Sequence, residues 1–60
     1  MTTRLYRRAR RITHTDAFIN LSPKERNEFL ERARTSRNEE DLPEKCREIL
    51  AAGERELQGY

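Results

Sequence analysis

Ser22-Pro23-Lys24-Glu25 opens the stretch that decides the fold of this chain, and Phe29, Leu30 and Ala33 complete it. A serine ahead of a proline, with a glutamate three residues after the serine, marks a helix start. The hydroxyl accepts from an unpaired backbone N–H, the proline has no N–H to leave unpaired, and the glutamate returns a bond to the serine N–H. The spacing predicts a helix from Pro23 to Arg34 or Thr35 that buries Phe29, Leu30 and Ala33. Arg26 falls within that stripe. Its aliphatic stem is expected to cover Leu21 or Phe18 while the guanidinium reaches water or Asp16.

Working outward, residues 3–13 repeat the helical pattern with Leu5, Ala9 and Ile12 on one side, flanked by Tyr6 and Thr13. Thr13, His14, Thr15 and Asp16 then interrupt it, and Thr13 with Asp16 is expected to cap a short turn holding Phe18, Ile19 and Leu21. On the other side, residues 35–41 are polar and read as a loop, with Asp41 or Leu42 capping a third helix that ends at Gly59. Leu42, Cys46, Ile49, Leu50, Gly53 and Leu57 fall on one narrow arc of that helix. Val is absent, and Glu, Arg, Leu and Ala dominate outside the turns. The expected fold is therefore all-α, a small three-helix domain with a kink or short turn near residues 13–21. Residues 1–60 read as one small domain, with 1–15 a basic helix or arm and 22–59 a two-helix body.

Sixty residues hold at most one core, and Leu, Ile and Phe together supply only eleven of them. So small a core is near balance with chain entropy, and oligomerisation or partner contact is expected to add burial. The single cysteine, Cys46, makes no internal disulfide, which fits a reducing, cytoplasmic setting. No apolar run approaches the roughly 20 residues of a membrane span, and the basic start lacks the apolar stretch of a secretory signal. No membrane association is expected.

The order of a short apolar stretch, Ala17-Phe18-Ile19-Asn20-Leu21, then Ser22-Pro23, then two helices, resembles a ribbon-helix-helix repressor over roughly 40 residues. That resemblance implies an alternative fold, a dimer in which a short strand at residues 17–21 pairs with its copy. Phe18, Asn20 and Ser22 would then face the DNA major groove. Propensity favours a helical turn at residues 16–20 instead.

Catalysis needs converging reactive groups, and this chain offers one His, one Cys and two turn or cap serines. The expectation is no enzyme, no cofactor and no metal. His14 and Asp16 are two residues apart and do not make a closed metal site alone. Cys46 lies on the apolar stripe and reads as a small buried hydrophobe.

The charge is what remains. Residues 1–15 carry five arginines and no acid, whereas the rest carries eight basic against eleven acidic residues, with an acidic patch at Glu39, Glu40, Asp41 and Glu44. Guanidinium clusters attract phosphate by forked hydrogen bonds and counterion release, and an aromatic ring among them can stack on an unpaired base. The expected nucleic-acid-binding residues are Arg4, Arg7, Arg8, Arg10, Arg11 and Tyr6, in a small regulator that binds DNA or RNA. The competing readings are a protein interaction module (adaptor, antitoxin-like factor or inhibitor) docking on an acidic partner, and arginines lying against the chain's own acidic patch. Leu42, Cys46, Ile49, Leu50 and Leu57 are the candidate partner or self-association residues, since so narrow a stripe suits the seam of a homo-oligomer.

Overall fold

A computed structural model describes residues 3–59, which form helices and turns. In chain order they are α1 (Arg4–Arg11), a 3-10 turn (Ile12–His14), α2 (Asp16–Ile19), α3 (Pro23–Thr35), a second 3-10 turn (Glu39–Asp41) and α4 (Glu44–Gln58). The domain is all-α: three main helices, with the single turn α2 filling the kink between the first two.

Helix α3 starts where its local chemistry dictates. The Ser22 hydroxyl accepts from the Glu25 N–H at 3.2 Å, and the Glu25 carboxylate accepts from the Ser22 N–H at 3.1 Å. Phe29 and Ala33 are buried and Leu30 is half-buried. Arg26 donates from Nε to the Leu21 carbonyl at 3.2 Å, so its guanidinium ties the entry of the helix rather than meeting Asp16. Helix α1 is capped by Thr3, whose hydroxyl accepts from the Tyr6 N–H at 3.0 Å. Leu5 and Ala9 are buried on the side packed against α3, and Ile12, beyond the helix end, is buried against α4.

The strand of the ribbon-helix-helix alternative does not form: Asp16–Ile19 is helical, and no strand occurs among the described residues. Phe18, which that alternative turned outward, is buried and meets Phe29 edge to face, with centroids 6.0 Å apart and planes at 61°. Ile19, which alternates with Phe18 and Asn20 and so would turn to the buried face of such a strand, is exposed. Thr15, not Thr13, stands at the N-cap of α2. The cap bonds come from α4, where the Glu56 carboxylate accepts from the N–H of Asp16 at 2.9 Å and of Ala17 at 2.8 Å. Two orphan amides and the positive end of the turn thus meet one negative group.

The third expected boundary also moves. Glu39–Asp41 wind into their own turn, Leu42 drops into the core, and Pro43 rather than Asp41 or Leu42 is the N-cap of α4. The core joins all four helices: Leu5, Ala9, Ile12, Phe18, Phe29, Ala33, Leu42, Cys46 and Leu50. Gly53 closes it. A Cβ built there would lie 2.7 Å from the Ile12 Cβ and 2.8 Å from its Cδ1, so α4 passes the end of α1 only because residue 53 has no side chain. Among the described residues no helix is long and apolar enough to cross a membrane.

Candidate functional site

The arginines are arranged by the helix that carries them. With Leu5, Ala9 and Ile12 turned inward, about 100° per residue sets Arg10, Arg7, Arg11 and Arg4 in that order across an outer arc of roughly 120°. Tyr6 borders that arc on one side and Arg8 on the other. Arg4, Arg7, Arg10 and Arg11 are exposed, and among the described residues none forms an ion pair with a carboxylate. Helix α1 runs from Arg4 to Arg11, so the four charges lie along about 10 Å of its axis.

Arg8 departs from the expected role. Its Nε donates to Glu54 Oε2 at 2.9 Å and its Nη2 to Glu54 Oε1 at 2.8 Å, a forked pair between α1 and α4. The same Nη2 reaches Glu39 Oε1 at 3.2 Å in the acidic turn. The Arg8 hydrogen bonds hold the Glu54 carboxylate below its ordinary range, and the same bonds keep the Arg8 guanidinium more firmly charged. Arg8 is thus a structural residue that clamps α1 to the body. Neutralisation by the chain's own acids, one of the readings of the arginine cluster, holds for Arg8.

Tyr6 and Arg10 form the opposite border. The Arg10 guanidinium carbon lies 5.8 Å from the Tyr6 ring centroid, and Nη1 donates to the Tyr6 hydroxyl at 3.2 Å. The ring is half-buried and lines a groove of about 640 Å³ between α1 and α3, with Asn27, Leu30, Glu31, Arg34 and Thr35 as the other walls. The outer arc and this groove therefore share a border at Tyr6 and Arg10.

The stripe on α4 belongs to the core. Leu42, Cys46 and Leu50 are buried inside the chain itself, Ile49 is half-buried against them, and of the five candidate association residues only Leu57 is exposed. The residues expected to form a seam are thus spent on the chain's own core, because a chain with so few apolar side chains has no second set for its interior. Burial, with Glu28 nearby, pushes the Cys46 thiol above its ordinary range, which makes it less of a nucleophile. His14 is exposed, and among the described residues no three His, Cys, Asp or Glu side chains gather as a metal site.

Glu54 and Glu56 do not stand out in the sequence, where they lie among many solvated acids, whereas Glu39 belongs to the acidic patch. A signal for Arg8 did exist: on the helical wheel it is the arginine nearest Ile12, about 40° away, and so the one that borders the packed side. Compared with protein-family models, curated proteins and solved structures, the chain matches none.

Proposed function

We propose that this protein is a small nucleic-acid-binding regulator whose α1 arginine face grips the phosphate backbone. The observation that carries this reading is the division of labour among the five arginines. One is consumed by Glu54 and Glu39, and among the described residues the other four stand exposed in a row with no carboxylate in ion-pair contact, Arg11 being the one whose charge still reaches Glu54. Four guanidinium groups held on a clamped helix lose less freedom on binding than the same groups on a loose tail, and each offers two or more donors to a phosphate.

The sign of the surroundings supports the same reading. Beyond residue 15 the chain is net acidic, so a polyanion is drawn to α1 and held off the rest. The acidic turn sits on the Arg8 border, which directs the polyanion toward the Tyr6 border.

The test is binding of labelled DNA and RNA, single-stranded and duplex, at two salt concentrations, for the native chain and for Arg7→Gln/Arg10→Gln/Arg11→Gln. Arg8 is left in place because removing it disturbs the fold. Each phosphate neutralised contributes a slope of about −0.7 to −0.9 in log affinity against log salt. The native chain is expected to show a slope of about −3, and the triple variant a slope near −1 with much weaker binding. Equal affinity in the two proteins would overturn the reading and favour a protein partner.

A further inference from the structure

We infer that the strand held by the arginine face is single-stranded, and that one of its bases turns into the groove between α1 and α3 and rests against Tyr6. This deepens the proposed function and rests on it. The groove and the arc differ in chemistry. The arc carries four positive charges, whereas the groove carries one acid, Glu31, and one base, Arg34, which cancel. Phosphate is drawn to the arc and gains nothing in the groove.

A nucleobase has the opposite needs: it is neutral, flat and edged with donors and acceptors. The groove offers it the Tyr6 ring and Leu30 as apolar surface, with Asn27 and Glu31 on the same walls. Among the described residues, the Asn27, Glu31 and Arg34 side chains make no hydrogen bond within the protein, so they are available to a base edge. At about 640 Å³ the groove is within the usual range of roughly 300–1,000 Å³ for small-ligand sites. Arg10, bonded to the Tyr6 hydroxyl, stands where the arc and the groove meet and can hold the phosphate of the nucleotide whose base enters.

Duplex DNA or RNA cannot use this arrangement, because its bases are paired and stacked on one another. Its backbone would also have to run past Glu31. Single strands have no such constraint, and base stacking on aromatic side chains tolerates any sequence.

Tyr6 can report on its own site. The chain has two tyrosines and no tryptophan, so in Tyr60→Phe the emission comes from Tyr6 alone. Titration of that protein with oligo(dT), oligo(U) and a duplex of equal length is expected to quench the emission with the single strands and leave it with the duplex. Quenching by one single strand only identifies which of DNA and RNA is the ligand. In parallel, Tyr6→Leu is expected to lose about tenfold in single-strand affinity, while Tyr6→Phe, which keeps the ring, stays within about twofold. Binding without quenching, with duplex held as tightly as single strand, would overturn this inference and leave the arginine face standing. Failure of every nucleic acid to bind would overturn both. The fluorescence arm leaves the groove intact, so it decides the matter even if Tyr6→Leu is poorly folded.

Discussion

Arg8 and Glu54, 46 residues apart in sequence, face each other across α1 and α4 and share two hydrogen bonds of 2.9 and 2.8 Å. That pair fixes the orientation of the helix whose outer side carries the other arginines. Both side chains are about one-third exposed, so solvent screens the attraction, and the forked geometry is what keeps it worthwhile. A double-mutant cycle of Arg8→Ala and Glu54→Ala, read by thermal or denaturant unfolding, is expected to give a coupling of about 1 kcal/mol. Below its melting range, Arg8→Ala is expected to lose less affinity for nucleic acid than Arg7→Ala, because it loosens the helix without removing one of the exposed charges.

Acid should loosen the same clamp. Arg8 depresses the Glu54 carboxylate from its ordinary 4.5, and the Ser22 backbone N–H does the same for Glu25. A depressed folded-state value means that the unfolded chain binds these protons first as pH falls. Both groups therefore contribute fully above about pH 5, and the contribution is lost as pH drops through their lowered values. Unfolding followed from pH 7 to pH 3 is expected to show declining stability below about pH 5, with a shallower decline in Glu54→Gln. An identical decline in that variant would remove Glu54 from the account.

Gly53 sets two effects against each other. Alanine favours a helix over glycine by about 1 kcal/mol, so propensity alone makes Gly53→Ala stabilising. The new Cβ would lie 2.7 Å from the Ile12 Cβ, which is fixed to the backbone and cannot swing away. Overpacking of that kind costs about 1–3 kcal/mol, and a lower melting temperature is the expected net result. A higher one would show that α1 and α4 are not so closely apposed.

Glu56 acts on a segment far from it in sequence. Glu56→Ala leaves the N–H groups of Asp16 and Ala17 without their acceptor and is expected to cost about 1 kcal/mol. Hydrogen exchange should quicken at those two amides while the interior of α3 stays protected.

These four effects also mark where the sequence stops being legible. The start of α3 was readable because Ser22, Pro23 and Glu25 act on one another within four residues, and such signals survive any packing. Leu5, Ala9 and Ile12 were readable as a buried stripe for the same reason, since their spacing alone sets their side. The start of α4 was not, because the acidic residues before it could either cap a helix or form a turn of their own, and the burial of Leu42 decided for the turn. Arg8 looked like its four neighbours because its partner lies on the far side of the fold. Glu56 was hidden likewise: a carboxylate that caps another helix leaves no local pattern. The spacing of the α4 stripe suits a core and a seam alike, and Leu42, Cys46 and Leu50 lie in the core.

The central claim is that the exposed arginine row of α1 meets a polyanion from outside the molecule. Its most direct measurement is a nuclear magnetic resonance titration of the isotope-labelled protein with a short single-stranded oligonucleotide, following backbone amides and arginine Nε–H groups together. The account predicts that Arg4, Arg7, Arg10 and Arg11 shift progressively while Arg8 Nε–H, held by Glu54, moves little. Shifts centred on α4, or none at saturating oligonucleotide, would contradict it.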